Sequence, residues 1–276
     1  MASILELEVQ TSQREWSRVE LFGTTIDVLQ MREALGIIQS WAAAPFDRCR
    51  YVVTPNVDHT VLLQERQDLC AAYHDASLVL ADGWPVVAAS RLVGKPLPER
   101  VPGSDLVPML LQAALPDRPL RVFLLGAAPG VGERAARNIL HEYDGVDIVG
   151  VHSPPLGFEF DEDENRRILY LVEQTEPDVL VVGLGAPKQE LWVHANQDRL
   201  KAKVALCVGA TIDFLAGEKS RAPRWLQRIG LEWLHRMLSD PRRLVKRYVR
   251  DAWTFPGIVW REWRLGGTRH SHSQPE

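Results

Sequence analysis

The feature that most restricts this 276-residue chain is an alternation of short apolar, β-branched runs with stretches of helical periodicity. The runs cover residues 50–53, 77–80, 121–125, 146–151, 178–182 and 204–208. Helical patterns cover residues 58–72, 104–114, 130–143 and 163–174. Strands this apolar must be buried on both faces, and parallel neighbours need a helix-length crossover between them. The pattern predicts an α/β fold, a Rossmann-like doubly wound and mostly parallel sheet. Near Gly217 the pattern changes and the chain reads as helices. The expected organisation is a core over residues 1–217 and a helical C-terminal appendage over 218–276.

The formal charge of −4 hides a polarity. From Lys219 onward there are 13 Lys and Arg against 5 Asp and Glu, with Trp225, Trp233, Trp253, Trp260 and Trp263 among them. A basic piece on an acidic core predicts an anionic partner. Within it, Ser239-Asp240-Pro241 is a helix start, Asp240 serving as N-cap. Leu244, Val245, Tyr248 and Ala252 then recur at helical spacing, with Arg242, Arg243, Lys246, Arg247 and Arg250 on the remainder. Pattern alone leaves two readings open: a solvated face on a docked helix, or a membrane-surface helix.

Cys49, Cys70 and Cys207 form no CxxC pair, which argues against a disulfide framework and a zinc site and for a reducing cytoplasm. The eight histidines form no HExxH pattern, and His59, His194 and His235 read as surface or packing residues. The first residues lack a basic start followed by an apolar run, and no stretch reaches the roughly 18 apolar residues of a spanning helix. Neither a signal peptide nor a membrane span is expected.

Ligands of open α/β sheets sit beyond the carboxyl ends of the strands. Five strand ends carry small, polar or acidic residues: Thr54-Pro55-Asn56-Val57-Asp58, Ala81-Asp82-Gly83, the loop from Gly126 to Gly132, the loop from Gly183 to Glu190, and Gly209 to Asp213. Glycines at Gly126, Gly130, Gly183 and Gly185 allow close backbone approach, and helix N-terminal amides favour phosphate. Neither loop is a GxGxxG fingerprint or a P-loop. A tight strand-to-helix turn explains the first equally well; Lys188 and Gln189 make the second more specific. Asp82 is a candidate general base, although a turn aspartate has the same appearance.

Taken together, the segments TPN (54–56), ADG (81–83), RVPGSD (100–105), FLLGAAPGVGE (123–133), VVGLGAPKQE (181–190), IDFLAG (212–217), RAPRW (221–225) and GLEWLHRMLSDPRRLVKRY (230–248) resemble the WecG/TagA/CpsF glycosyltransferases. The resemblance implies an inverting transfer of a hexose or N-acetylhexosamine-type sugar. The donor would be a UDP-sugar and the acceptor a polyprenyl-diphosphate-linked saccharide, in cell-surface polysaccharide synthesis. It implies that Asp82 is the base, with Thr54, Asn56, Arg100 and Gln189 lining the reaction site. Gly126, Gly130, Gly183, Gly185, Lys188 and Asp213 would serve the nucleotide-sugar, and Arg221 and Arg224 the lipid diphosphate. No cofactor and no metal are expected, and leaving-group charge would fall to arginine, lysine and backbone amides. The expected place is cytoplasmic, on the inner face of the plasma membrane, against an anionic surface. Nucleic acid is not an expected partner, and homo-oligomerisation is left open. Gly209-Ala210 and Trp84-Pro85 depart from the family pattern, so donor identity does not carry over. Two rival readings are an inactive membrane-docking scaffold and a nucleotide-dependent oxidoreductase; the missing GxGxxG stands against the second.

Overall fold

The computed structural model describes residues 16–219, 221–223, 226, 232–239 and 241–269, without the side chains of 232, 236, 239, 241–243 and 266–269. The elements, in order, are β1 (Arg18–Leu21), β2 (Thr24–Asp27), α1 (Met31–Ala43), β3 (Arg50–Val53), α2 (Val57–Leu62), α3 (Gln67–His74), β4 (Leu78–Val79), α4 (Trp84–Leu92) and α5 (Gly103–Gln112). Then come β5 (Leu120–Gly126), α6 (Val131–Glu142), β6 (Val146–His152), a 3-10 turn (Phe158–Phe160), α7 (Glu162–Thr175), β7 (Val179–Gly183) and α8 (Lys188–Asn196). The chain continues through β8 (Val204–Cys207), α9 (Thr211–Leu215), α10 (Glu232–Ser239) and α11 (Pro241–Arg269).

Six strands form one parallel sheet in the order β4-β3-β8-β7-β5-β6. Side chains alternate across a strand, and here both alternating sets are apolar. Tyr51, Val53, Phe123, Leu125, Leu180, Val182, Ala205 and Cys207 pack under α2, α3, α4, α7 and α8. Val52, Val122, Leu124, Val179, Val181, Val204 and Leu206 pack under α1, α5, α6 and α9. Each fully buried Val or Leu contributes about 1.5–3 kcal/mol, so two apolar faces make a two-sided helical cover the stable arrangement. The α/β doubly wound expectation is met, with a sheet that is parallel throughout.

The helical pattern over 58–72 is not one helix but two. Gln64 donates its side-chain amide to Phe22 O (3.0 Å) and to Thr60 O (3.2 Å), which closes α2. Arg66 is extended at the start of α3. A tertiary contact has overridden local periodicity. Phe22 belongs to a two-residue turn joining β1 and β2, with φ of 54° at Phe22 and 91° at Gly23, a hairpin the periodicity did not predict. Asp27 at its end accepts from Trp16 Nε1 (2.6 Å), Arg18 Nε (2.7 Å) and Val79 N (2.7 Å), covering the edge strand β4. The ladder of β4 extends beyond its two assigned residues: Ser77 N bonds Tyr51 O and Leu80 N bonds Val53 O, both at 2.9 Å.

Helix α11, 29 residues long, lies against this core. Leu244, Asp251 and Ile258, seven apart, are its buried line. Phe255 meets Phe22 edge-on at 5.6 Å, Lys95 pairs with Glu262 at 2.5 Å, and Arg250 pairs with Asp58 at 2.5 Å. Two expectations for this helix need correction. Val245 faces outward rather than joining Leu244 in the core, and Arg247 and Arg250 turn to Asp58 rather than to solvent. The outward face is itself apolar: Val245, Val249, Trp253, Trp260 and Trp263 are exposed, Trp253 by 89%. Among the described residues, no helix is long and apolar enough to cross a membrane. Asp240, the expected N-cap, lies outside the described residues.

Candidate active site

The loops after β3 and β4 are tied to each other and to the segment before α5. Asp82 N bonds Pro55 O (2.8 Å) and Val101 N bonds Ala81 O (2.7 Å). Gly83 caps α4 with φ of 102°, a conformation that suits glycine, and Pro85 fixes the first turn. These ties bring Asn56, Asp82 and Arg100 to one cavity of about 300 Å³. Its far wall comes from α10 and α11: Trp233, Arg247, Tyr248, Asp251 and Phe255. Trp84 also lines it and remains half exposed.

The cavity combines carboxylates with arginines. Asp58, buried at the start of α2, holds Arg250 at 2.5 Å and Arg247 at 3.4 Å. Burial and the Asp58 charge raise the Asp251 carboxyl above its ordinary value, with Arg250 and Arg247 opposing. Arg100 lies 3.6 Å from Asp105. Arg221 reaches the same carboxylate at 2.5 Å and Ser104 O at 3.2 Å, so one aspartate gathers both arginines. Arg221 itself does not line the cavity. Arg224 lies outside the described residues.

Thr54 and Gln189, expected at the reaction site, do not line this cavity. Both are buried. Thr54 Oγ1 lies 3.4 Å from Cys207 O, which ties β3 to β8. Gln189 accepts from Gly209 N (3.1 Å) and donates to Glu190 Oε1 (2.8 Å). His59, expected as a surface or packing residue, is buried beside Glu190.

The glycine loops occupy the neighbouring strand ends. Between β5 and β7 the connections diverge, α6 leading to β6 and α8 back to β8, which makes a topological switch point. There the backbones almost touch: a Cβ on Gly126 would stand 2.5 Å from Gly183 O, and one on Gly183 2.9 Å from Gly209 O. Gly130 caps α6 at φ 80°, and Gly185 turns the β7–α8 loop at φ 82°. Lys188 is drawn to Glu159 at 2.8 Å and lies over the Phe158 ring, so its charge is matched locally. Asp213, in the first turn of α9, accepts from Lys219 Nζ at 3.1 Å. At about 4.8 Å per strand, β3 and β5 are roughly 14 Å apart, with β8 and β7 between them. The acidic cavity and the glycine loops therefore lie side by side along one edge.

The buried thiols offer no nucleophile. Burial pushes Cys49 up to about 12 and Cys207 well above its usual value. Among the described residues, no group of three His, Cys, Asp or Glu side chains is arranged to hold a metal ion.

The fold and site define a doubly wound α/β protein with an aspartate-and-arginine cleft beside glycine-rich strand ends. The chain belongs to the glycosyl transferase WecG/TagA/CpsF family, which it matches over residues 19–269. It is similar to an N-acetylglucosaminyldiphosphoundecaprenol N-acetyl-beta-D-mannosaminyltransferase of Staphylococcus aureus strain MRSA252, at 31% identity over 228 residues, 83% of this chain and 87% of the relative. A protein of the same name from strain MW2 is 29% identical over the same span.

Several site residues escaped sequence reasoning. Arg247 read as part of a charged helix, and Asp58 and Asp251 had no visible partner. The bond from Arg250 to Asp58 joins positions 192 residues apart, for which spacing gives no signal. Glu190 and His59 do stand inside or beside quoted motifs, and that adjacency was the available clue.

Proposed function

We propose that this chain is an inverting glycosyltransferase that moves a hexose or N-acetylhexosamine-type sugar from a UDP-sugar to a polyprenyl-diphosphate-linked saccharide in cell-surface polysaccharide synthesis. The observation that carries the reading is the convergence of Asp82, Asn56 and Arg100 on a cavity beside the glycine loops. Asp82 takes the proton of the acceptor hydroxyl as that oxygen bonds to the anomeric carbon. The bond from this carbon to the diphosphate oxygen breaks, its electron pair leaves with UDP, and one displacement inverts the centre. Arg100 bears on phosphate charge through its planar fork, and Gly126, Gly130, Gly183 and Gly185 present backbone to the diphosphate. Gln189 and Thr54 shape the site without lining the cavity, while Lys188 and Asp213 flank the nucleotide side. Arg221 acts with Arg100 through Asp105, and Arg221 and Arg224 serve the lipid diphosphate. We take arginine and backbone amides, rather than a metal, to neutralise the leaving group.

The segment from residue 218 is read as an appendage that closes the cavity and meets an anionic membrane from the cytoplasmic side. Trp253, Trp260 and Trp263 suit the headgroup level, and exposed Lys246 adds attraction of about 1 kcal/mol near an anionic leaflet. Arg247 and Arg250, engaged by Asp58, are not counted in that attraction.

The test is a screen of UDP-sugars against a synthetic lipid-diphosphate N-acetylglucosamine acceptor. Asp82→Asn should fold and bind UDP as the parent does, and lose about 100-fold to 10,000-fold in turnover. Near-parental turnover in that variant removes Asp82 as the base.

A further inference from the structure

At the centre of the sheet's carboxyl edge lies a polar cluster that the displacement does not use. His59 on α2 and Glu190 on α8 have side chains 8% and 1% exposed, and His59 Nε2 lies 3.4 Å from Glu190 Oε1. Tyr73 of α3 packs its ring 6.3 Å from the imidazole. Its hydroxyl, His59 Nε2 and Glu190 Oε2 have no aligned hydrogen-bond partner among the described residues. Buried polar atoms of this kind are rare and call for a reason. Among the described residues, the ion pair that Glu190 makes is with His59.

The surrounding hydrogen bonds fix the protons. His59 Nδ1 faces the backbone N–H of Asn56 at 3.2 Å, and Asn56 Oδ1 accepts from the backbone N–H of His59 at 3.3 Å. An N–H must meet a lone pair, so Nδ1 is bare and the ring proton sits on Nε2, on the Glu190 side. Gly209 N–H likewise needs an acceptor, which sets Gln189 Oε1 toward it and the amide nitrogen toward Glu190. One carboxylate thus faces an imidazole and an amide, and these hold the backbones of two different strand-end loops.

We propose that Glu190 and His59 are a positioning pair for glycosyl transfer, setting the base loop of Asn56 and Asp82 against the loop of Gly209. The proposal rests on the transferase reading above. His59 secures Asn56, whose neighbour Pro55 holds Asp82 N. Glu190 secures Gln189, which holds Gly209, whose carbonyl abuts Gly183. The acceptor side and the donor side are thereby linked through one buried ion pair.

The pair also responds to pH. A proton on Nδ1 turns the acceptor into a donor against Asn56 N–H and opens the cap of α2. The groups facing His59 are Glu190 from α8, Asp82 from the β4–α4 loop, Tyr73 from α3 and Asp58 beside it on α2. Arg247 and Arg250 of α11 partly neutralise Asp58. Burial works to lower the imidazole, but Glu190, then Asp58 and Asp82, outweigh it, and His59 titrates above its ordinary value. Burial holds the Tyr73 hydroxyl protonated.

The experiment combines nitrogen NMR of the His59 ring with pH profiles of kcat and KM, on the full chain and on Glu190→Gln and His59→Asn. In the parent, the ring should carry its proton on Nε2, and kcat should fall on the acid side in step with the His59 titration. Removing the Glu190 charge should move titration and acid limb together to lower pH by more than about 0.5 unit. It should cut kcat about tenfold to 100-fold through misplacement, with UDP affinity held within about twofold. His59→Asn keeps an acceptor near the Nδ1 position without titrating, so the acid limb should vanish. The opposite tautomer, an acid limb unmoved in Glu190→Gln, or parental kcat in both variants overturns the proposal. Should Glu190→Gln fail to fold, the parent titration and His59→Asn decide. A parent that transfers no sugar from any UDP-sugar sinks the donor reading instead, and the ring signals still decide whether the pair exists.

Discussion

Replacing Gly126 by alanine probes the closest backbone approach in the cleft. The added methyl would stand 2.5 Å from Gly183 O and 2.6 Å from Gly183 C, at a residue whose φ is 115°. Holding a side chain in that backbone region costs about 1–3 kcal/mol. Relief of the clash must move the end of β7, and that weakens the bond from Ala127 N to Gly183 O at 3.1 Å, worth about 1 kcal/mol. The sum is about 2–4 kcal/mol. At roughly 2–4 °C per kcal/mol for a chain of this size, the melting temperature should drop by about 5–15 °C. Since Gly183 belongs to the proposed donor subsite, UDP affinity should weaken about tenfold, or 1.4 kcal/mol. Calorimetry of unfolding and of UDP binding reads both quantities. Gly36→Ala is the control: that glycine lies within α1, and a methyl there meets nothing within 4 Å. It should stabilise the fold by about 0.5–1 kcal/mol. A Gly126→Ala protein that melts and binds UDP like the parent refutes the close-approach account.

Turnover should survive EDTA; a strict requirement for added magnesium or manganese would replace arginine and amides with a metal as the neutralising group. Asp58→Asn should loosen α11, because Arg250 and Arg247 lose their buried carboxylate. Losing a buried partner costs about 3–5 kcal/mol, and the partial exposure of both arginines reduces this to roughly 1–3 kcal/mol. Faster proteolysis within α11 and reduced turnover at unchanged UDP affinity are the expected readouts, and parental proteolysis rates would count against the docking role. Stability should also carry the His59 signature. Its folded-state value is raised, so its contribution is complete below the unfolded value near 6.5 and is lost as pH rises through the folded value. The stability difference between the parent and His59→Asn, from urea unfolding, should therefore shrink with rising pH over that window.

The sheet was legible because every central strand is apolar on both alternating sets, a pattern that survives without tertiary information. The strand-end rule then located Asn56, Asp82 and the glycine turns from order alone. The hairpin at Phe22 was not legible, since it is held by Gln64, by Val79 through Asp27, and by Phe255, all distant in sequence. The same reason hid the division of α2 from α3. For α11, periodicity correctly indicated a helix but misassigned its faces: Val245 joined the apolar set that docks, and Arg247 and Arg250 joined the solvated set. A buried aspartate contributed by another element reverses such an assignment, and no spacing within the helix records it.

The tie between Asp58 and α11 has a consequence for the chain during its synthesis. Arg250 follows Asp58 by 192 positions. At about 5–20 residues per second, the carboxylate leaves the peptidyl-transfer centre roughly 10–40 s before its guanidinium partner exists. Over that interval the nascent sheet and its strand-end loops can assemble while the cavity still lacks the wall built by α10 and α11. The growing polypeptide thus carries Asp82 in a half-built, open cleft, and the cavity is completed only once α10 and α11 have been made.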